Sequence, residues 1–412
     1  MLIDTHHSFI NRYKNAFGKS SALSLKLANL LAPEYKAHGA WIESKDAHRW
    51  LDFGSYGINF LGHTNAVIVN AAVDQISRMG LSSKILASEE ILVAAEQILK
   101  YSGKEFEGVV FGNTGAEIVE LALRVSIMVT ERKKIISFEN SYHGKSLGAL
   151  SVSDSLKKYK AILNGFDVEF ISVDNYGALE SLLKNGNIAS VIIEPVQGEG
   201  GILPVADEFL ETIIALSDKY GTVSIFDEIQ TGLGRCGILW RHLHLKQSPD
   251  IILSGKTLGG GLIPISALLY KREKLKKIID DPIISASTFA SSPLAGAIAT
   301  ATINFIVQEE IVPRVNTLSK FCFSFLQKEL ETSRIVKAIR GQGLMIGIEF
   351  YNVQMVADLL LITSKHGLLI TFCLNKPSVI RFYPPAVISM DDLQLGLSIL
   401  TQAINEVEKI HI

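Results

Sequence analysis

The chain has 412 residues, 48% of them hydrophobic, and a mean hydropathy of +0.26, which excludes an intrinsically disordered protein. Its 40 basic and 42 acidic residues are well mixed and leave a net charge of -2, so no nucleic-acid partner and no membrane-surface partner is expected. Three widely spaced cysteines, Cys236, Cys322 and Cys373, provide neither a disulfide framework nor a zinc-binding spacing. Since the first residues lack the apolar core of a signal peptide, we expect a cytoplasmic protein.

Short β-branched runs alternate with longer amphipathic segments through most of the chain. The runs predict strands at Gly108–Phe111, Lys134–Phe138, Glu169–Val173, Ser190–Glu194, Thr222–Asp227, Asp250–Leu253 and Ile265–Tyr270. The longer segments predict helices at Gly115–Val129, Ala206–Tyr220 and Pro293–Glu309. Strands this apolar, separated by helices, are typical of a mostly parallel sheet that is covered on both faces. We therefore expect an α/β domain at about residues 56–304.

The chain after residue 304 has a different pattern. It predicts helices at Ile311–Glu331 and Met355–His366, a closing helix that begins near Ser389, and strands at Ile335–Ile339, Leu344–Phe350, Leu368–Thr371 and Ser378–Phe382. This mixture indicates a smaller α+β domain at residues 305–412. Because chain ends often lie close together, we expect residues 1–55 to join it.

The first candidate for a chemical role is the segment FGNTGAE at residues 111–117, between a predicted strand and a predicted helix. Thr114, Gly115 and Ala116 would place backbone N–H groups and a hydroxyl at a helix N-terminus, which suits a phosphate. By itself, the segment is also compatible with an ordinary capped helix start.

The second candidate is the segment SYHGK at residues 141–145, which follows the strand ending at Phe138. Tyr142 could stack on a planar ring, although most aromatic residues on loops have no such role. His143 is equally compatible with a surface histidine or a hydrogen-bonded one.

Two charged residues follow apolar strands further along the chain. Asp227 ends the strand that begins at Thr222, where a buried carboxylate needs a partner such as a protonated ring nitrogen or a nearby turn. Lys256 lies in SGKTLGGG at residues 254–261, where desolvation would lower its pKa and leave a nucleophilic amine. The GKT portion resembles a P-loop, but Asp250 occupies the position at which that motif requires glycine.

Together the four segments supply a phosphate-binding turn, a ring-stacking aromatic residue, a partner for a pyridinium nitrogen and a nucleophilic lysine. Each lies where a strand ends, and ligands of open α/β sheets bind at that edge. Pyridoxal 5'-phosphate (PLP) is the cofactor that needs this set. His242 and His244 have no acidic or cysteine partner nearby in the sequence, so no metal site is expected.

The chain resembles the class III aminotransferases of the fold-type-I PLP enzymes, over nearly its whole length. The motifs that carry the resemblance are NTGAE at 113–117, YHGK at 142–145, EPVQGEGG at 194–201, DEIQTGLGRCG at 227–237, PDIILSGKTLGGG at 249–261, STF at 287–289, RGQGLMIG at 340–347 and RFYPP at 381–385. Lys145 and the runs around residues 367–371 and 379–389 are similar to those of putrescine aminotransferase-like members.

The resemblance implies a role for each matching residue. Lys256 would carry PLP as a Schiff base and shuttle a proton, and Asp227 would keep the pyridine nitrogen protonated. The other cofactor-binding residues that it implies, with His143 included, are Thr114, Gly115, Ala116, Tyr142, His143, Gln230 and Thr288. Thr288 would reach the phosphate of a neighbouring subunit, which implies a homodimer with shared active sites.

Three residues would bind substrates. Arg381 would take a substrate carboxylate, and Glu199 would neutralise Arg381 when the substrate has no carboxylate there. At position 145 many members have arginine, and a lysine offers a point charge instead of a bidentate fork. The loop STFASSP at residues 287–293 has also lost the glycines that are common in the family.

From these features we expect a transaminase that moves an amino group between an amine or aldehyde and a 2-oxo acid/amino acid pair, with 2-oxoglutarate and glutamate as the expected pair. The amine would be a diamine or an ω-amino compound without a carboxylate on the reacting carbon. An alternative is an ω-aminotransferase of the acetylornithine or ornithine type, and a further one is a PLP aminomutase.

Overall fold

The computed structural model describes residues 2–27, 33–155, 165–279 and 281–412. The strands, in chain order, are β1 (Glu34–His38), β2 (Trp41–Ser44), β3 (Arg49–Asp52), β4 (Gly108–Gly112), β5 (Lys134–Phe138), β6 (Asp167–Ile171), β7 (Ile188–Ile193), β8 (Val196–Gln197), β9 (Leu203–Pro204), β10 (Val223–Asp227), β11 (Ile251–Ser254), β12 (Ser266–Tyr270), β13 (Val336–Gln342), β14 (Met345–Phe350), β15 (Leu368–Leu369), β16 (Thr371–Phe372) and β17 (Val379–Phe382).

The α-helices of these ranges are Leu2–Phe17, Lys19–Leu27, Ala66–Arg78, Glu89–Lys100, Gly115–Thr130, Leu147–Val152, Tyr176–Lys184, Asp207–Tyr220, Arg272–Ile279, Pro282–Ser285, Pro293–Gln308, Ile311–Leu330, Val353–Lys365 and Met390–His411. Short 3-10 helices span Arg241–His244 and Lys256–Gly259. Polar caps begin several helices: the Ser389 side chain, for example, accepts a hydrogen bond from the backbone N–H of Asp392. In the ranges that the structure describes, no helix is both long enough and apolar enough to cross a membrane.

Seven strands form the central sheet, in the order β4-β12-β11-β10-β7-β5-β6. The neighbours from β11 to β6 are parallel, whereas β12 runs antiparallel to both β11 and β4. Alternate residues of the buried strands pack against opposite layers: Ile225 belongs to the same cluster as residues of helix Gly115–Thr130, and Phe226 to the same cluster as residues of helix Asp207–Tyr220. The predicted α/β fold with a mostly parallel sheet is confirmed.

Two four-stranded sheets contain strands from the last part of the chain. One has the order β1-β2-β3-β15, and Leu51 of β3 pairs with Leu368 of β15. The other has the order β13-β14-β17-β16 and places Arg381 of β17 beside Gly347 and Thr371. The prediction of a single strand at Leu368–Thr371 is wrong, because β15 and β16 belong to different sheets. Hydrophobic alternation does not reveal such a change of partner.

The largest buried cluster extends across the predicted domain boundaries. It contains Leu51 and Phe60 as well as Ile252, Leu344 and Ile404. The pairing of β3 with β15 places residues before the predicted boundary at 55 in one sheet with residues from the last part of the chain. The boundaries at residues 55 and 304 stay predictions, since the apolar core is continuous across them.

Candidate active site

A cavity of about 570 Å³ opens where β4, β5, β10 and β11 end, at the carboxyl edge of the parallel strands. The predicted site residues that line it are Thr114, Gly115, Ala116, Tyr142, His143, Lys145, Glu199, Asp227, Gln230 and Lys256. Glu194, Asn113 and Ile229 also line it. Residues from distant parts of the sequence therefore meet in one concave site, because their strands are neighbours in the sheet.

The turn after β4 has the features of an anion-binding helix N-terminus. The hydroxyl of Thr114 caps helix Gly115–Thr130 by accepting a hydrogen bond from the Glu117 backbone N–H at 3.2 Å. The Thr114 carbonyl accepts a hydrogen bond from Ser266 of β12 at 2.9 Å, which fixes the turn to the sheet. The first N–H groups of a helix have no acceptor within the helix, so those of Gly115 and Ala116 can bind a phosphate at the cavity wall.

Asp227 and His143 form a buried pair. His143 Nδ1 lies 2.7 Å from Asp227 Oδ2, and the backbone N–H of Ile229 donates to Asp227 Oδ1 at 3.1 Å. His143 Nε2 is buried and has no hydrogen-bond partner within the described residues.

Lys256 follows β11 and adopts a left-handed backbone conformation with a φ of 41°. Burial lowers the pKa of Lys256, although Asp227, Glu194 and Glu199 act to raise it. A larger share of the neutral amine results, and the neutral amine is the form that can attack a carbonyl carbon. The strained conformation is of the kind that active sites retain.

Glu194 and Tyr142 are connected at the wall of the cavity. Glu194 accepts hydrogen bonds from the backbone N–H groups of Tyr142, at 2.8 Å, and Gly198, at 3.1 Å. Burial raises the pKa of Glu194 to about 7. This carboxyl group fixes the backbone of the residue predicted to stack on the cofactor.

Glu199 and Arg381 form a buried ion pair through Glu199 Oε1 and Arg381 Nη1. Arg381 is 1% exposed and lies over the ring of Tyr56, 5.1 Å from its centroid. The pKa of Arg381 is raised: burial is the largest single effect and acts to lower it, but Glu199, Tyr383 and Cys373 together outweigh burial. The pair that the sequence predicted is thus in contact, with Glu199 at the cavity wall.

Lys145 and Thr288 have different positions. Lys145 lines the cavity with an exposed side chain, whereas Thr288 is exposed and does not line the cavity of its own chain. Its neighbour Ser287 does contact this site, since its hydroxyl accepts a hydrogen bond from Asn113 at 3.1 Å.

Sequence reasoning missed two features. The Tyr383 hydroxyl donates to Gln230 Oε1 at 3.2 Å, a contact that the motif RFYPP does not reveal. The acidic partner of His242 is distant in sequence: Nδ1 of His242 lies 2.9 Å from Glu228 Oε1, and Nε2 lies 2.8 Å from the Ser102 carbonyl oxygen. The 3-10 helix Arg241–His244 brings these residues together, and nothing in the sequence indicates that fold. The contacts give His242 a structural role.

The residues fit PLP by their chemistry: an anion-binding turn, a buried carboxylate, a histidine nitrogen without a partner in the described ranges, and a lysine with a lowered pKa surround one cavity. Fold and site define a PLP enzyme of fold type I. The chain belongs to the class III aminotransferases, because the family model "Aminotransferase class-III" matches residues 25–404. The predictions of a transaminase and of PLP as its cofactor are confirmed.

Relatives of known name cover most of the chain. The [LysW]-aminoadipate semialdehyde/glutamate semialdehyde transaminase of Sulfolobus acidocaldarius is 32% identical over 382 residues, which are 90% of this chain and 95% of that protein. The acetylornithine aminotransferase of Clostridium acetobutylicum is 33% identical over 388 residues, with the same coverage of 90% and 95%. The solved ornithine aminotransferase of Toxoplasma gondii, which has partial occupancy of PLP at its active site, has a TM-score of 0.85 at 27% identity and covers 97% of this chain and 98% of its own.

Proposed function

We propose that the chain is an ω-aminotransferase that moves an amino group between the terminal carbon of an amino acid, of the ornithine or N-acylornithine kind, and the 2-oxoglutarate/glutamate pair. The observation that carries the proposal is the buried Glu199–Arg381 pair at the wall of the cavity that contains Lys256. The names of the relatives support this alternative more strongly than a diamine substrate.

In this proposal the cofactor would be held at four points. The N–H groups of Gly115 and Ala116 and the Thr114 hydroxyl would bind the phosphate. Asp227, fixed by His143 and by the Ile229 N–H, would pair with the ring nitrogen and favour its protonated state. Tyr142 would pack on the ring, and Gln230, held by Tyr383, would bind the ring oxygen.

Bound PLP supplies an electron sink that makes a proton on the amine-bearing carbon labile. The Nζ atom of Lys256 would hold the cofactor and would move that proton. Its lowered pKa favours the neutral amine, which is the form that attachment and proton removal require. The concave shape of the cavity limits the access of water to the exchanged groups.

Arg381 serves the dicarboxylate partner. When 2-oxoglutarate or glutamate binds, Glu199 leaves Arg381 and the guanidinium takes the carboxylate on the reacting carbon as a bidentate ligand. When the ω-amine donor binds, Glu199 stays on Arg381, because an unpaired buried arginine would be costly. One cavity can then accept two substrates of unlike charge.

The role of Lys145 differs between the two candidate amine donors. In the proposed function its ammonium group pairs with the α-carboxylate of the amino acid. The second candidate, a diamine transaminase, is favoured by the same residue, since lysine lacks the bidentate fork with which arginine binds a carboxylate.

The test is a set of single half-reactions with the purified PLP enzyme. The visible absorbance of the bound cofactor is followed while N-acetylornithine, ornithine, putrescine or 4-aminobutyrate is added, and 2-oxoglutarate is then used to restore it. Loss of absorbance with the ornithine compounds supports the proposal, and loss with putrescine alone selects the second candidate. Reaction of α-amino acids only at their α-nitrogen contradicts both.

The variant Lys145→Arg tests whether residue 145 binds the carboxylate of the amine donor. A bidentate guanidinium should lower the KM for N-acetylornithine by roughly tenfold and leave the KM for putrescine unchanged or higher. Lys104→Arg, an exchange at an exposed position away from the cavity, is the matched control. Equal effects on both amines would show that Lys145 does not meet the donor's carboxylate.

We further propose that the active unit is a homodimer in which Thr288 of each chain completes the other chain's phosphate site. Support comes from large apolar side chains that are exposed in the single chain, among them Ile85 at 89%, Ile283 at 87% and Phe289 at 64%.

A further inference from the structure

We propose that the tip of the β16–β17 hairpin, Leu374–Asn375, holds Glu199 against Arg381, and that Asn375 is a positioning residue that sets the balance between the two substrates. The inference rests on the proposed function, in which Glu199 must leave Arg381 before a dicarboxylate can bind there.

The hairpin tip contacts Glu199 directly. The backbone N–H of Leu374 donates to Glu199 Oε2 at 2.8 Å, while Arg381, on β17 of the same hairpin, binds Oε1. The backbone N–H of Asn375 donates to the carbonyl oxygen of Glu199 at 3.0 Å. The hairpin therefore holds both carboxylate oxygens and the main chain of Glu199. Departure of Glu199 from Arg381 also costs the hydrogen bond from Leu374.

The side chain of Asn375 fixes the hairpin tip to the loop that carries Tyr142. Its Nδ2 donates to the carbonyl oxygens of Asn140 and Ser141, each at 3.0 Å. A Cβ atom placed on Gly200 would lie 2.8 Å from the same Asn140 oxygen, so the segment that carries Glu199 also abuts this loop. Asn375 thus joins the hairpin tip to the Tyr142 loop through its side chain and to the Glu199 segment through its backbone N–H.

The other side of the hairpin is anchored independently. Lys376 Nζ lies 3.3 Å from Glu349 of β14, and Arg340 of β13 joins Glu349 to the carbonyl oxygen of Gly201, which accepts from Arg340 Nε at 2.8 Å. These contacts keep the rest of the hairpin loop, after Asn375, beside residues 199–201. Loss of the Asn375 amide would therefore loosen the hairpin tip without detaching the hairpin.

Two states of the site are relevant. In the closed state Glu199 neutralises Arg381, which suits the amine donor, and in the open state Arg381 is available to a dicarboxylate. A change that weakens only the closed state shifts the population toward the open one. Such a change should raise the affinity for a dicarboxylate and lower the apparent affinity for the amine donor.

The experiment compares Asn375→Ala with the wild-type PLP enzyme and uses glutarate, an unreactive dicarboxylate, as the probe. Removal of hydrogen bonds of ordinary strength should tighten glutarate binding by about fivefold, as measured by calorimetry. The KM for 2-oxoglutarate should fall and that for the amine donor should rise by similar factors, while kcat changes less. Asn405→Ala, at an exposed position of the last helix, should behave as wild type.

Three further variants distinguish a wrong role for the hairpin tip from a wrong proposed function. Glu199→Gln should tighten glutarate binding in the same direction, and Asn375→Ala in that background should add nothing, since the group that it positions is gone. If Glu199→Gln tightens binding and Asn375→Ala does not, the role of the hairpin tip is overturned while the function stands. If Arg381→Leu binds glutarate as well as wild type, the proposed function fails and the inference with it.

Discussion

Glu194 shows how a single buried carboxyl group can influence the whole site. Its two oxygens accept backbone N–H groups from Tyr142 and Gly198, so it joins the β5 loop to the segment that leads to Glu199. Burial is the main cause that raises its pKa to about 7, His143 acts to lower it, and Asp227 acts to raise it. The folded protein therefore binds a proton here at a pH at which the unfolded chain has already lost it.

The pH dependence of stability tests this property of Glu194. Its folded-state pKa is about 7 and its ordinary value is 4.5, so stability that is present below pH 4.5 is lost as the pH rises toward 7. The variant Glu194→Gln cannot ionise and should lack this loss. Its unfolding free energy relative to wild type should rise by up to roughly 3 kcal/mol across the interval.

Urea unfolding of both PLP enzymes at pH 5 and pH 8 would measure the difference. Glu211→Gln is a suitable control, because Glu211 is at the surface and its pKa is lowered, chiefly by a hydrogen bond from Lys246. A constant difference between Glu194→Gln and wild type at both pH values would contradict the raised pKa.

The sequence allowed us to predict which residues belong to the site, because the chemistry restricts their types. It did not allow us to predict the contacts between their side chains. The sequence placed Thr114, Asp227 and Lys256 at strand ends, and all three line the cavity. It did not indicate that His143 pairs with Asp227 or that Asn375 reaches the Tyr142 loop. Both contacts join segments that are distant in sequence, and their geometry depends on how the loops fold over the sheet edge.

At the scale of elements, the β5 loop and helix Gly115–Thr130 meet with little space between them. Gly144 has a φ of 134°, and a Cβ atom there would lie 2.8 Å from the Cβ of Ala116 and 3.2 Å from its Cα. Only glycine permits this approach of the Tyr142 loop to the phosphate-binding turn.

Substitution of Gly144 tests the contact between these elements. Gly144→Ala should push the loop away from Ala116, lower the affinity for PLP by roughly tenfold or more, and destabilise the protein by about 1–3 kcal/mol. Gly186→Ala is the matched control: Gly186 has a φ of 73°, but a Cβ atom there would meet no described atom within 4 Å, so only backbone strain is added. PLP titration and thermal unfolding would separate the two effects. Equal PLP affinity in both variants would mean that the contact is unimportant.

The bounds of strands and helices could be predicted better than the direction and the partners of the strands. Strand β5 has the bounds that the sequence predicts, and helix Gly115–Thr130 differs from its prediction by one residue, because apolar periodicity and a polar cap are local properties. The antiparallel direction of β12 and the division between β15 and β16 were not predicted, since strand direction and partner depend on the path of the whole chain.

For the whole molecule, the exposed apolar residues support the proposed dimer interface. Ile85 and Leu86 are 89% and 78% exposed in the isolated chain, and the exposed Ile283 and Phe289 flank Thr288 in the sequence. Burial of such side chains between two copies would stabilise a dimer and order the segment beside the phosphate site.

The proposed dimer can be tested by introducing charged residues at the exposed apolar positions. Ile85→Glu combined with Leu86→Glu should shift the protein from dimer to monomer in sedimentation experiments and lower PLP affinity and activity together, because a charged group is costly in an apolar interface. Ile410→Glu, at a position of the last helix that is 65% exposed, should leave the assembly unchanged. A monomeric wild-type enzyme with full activity would refute the shared site.

The position of β12 has a consequence for synthesis. Strand β4, which leads into the phosphate-binding turn, has β12 as its only neighbour among the described strands of the central sheet, and β12 begins at Ser266. When a growing chain has emerged from the ribosome only as far as β11, the segment that contains Lys256 has not yet emerged. At that stage β4 also lacks its strand partner β12. The turn that would bind phosphate in the proposed site can become fixed only after β12 has been translated, so we expect the nascent chain to bind its cofactor late in synthesis.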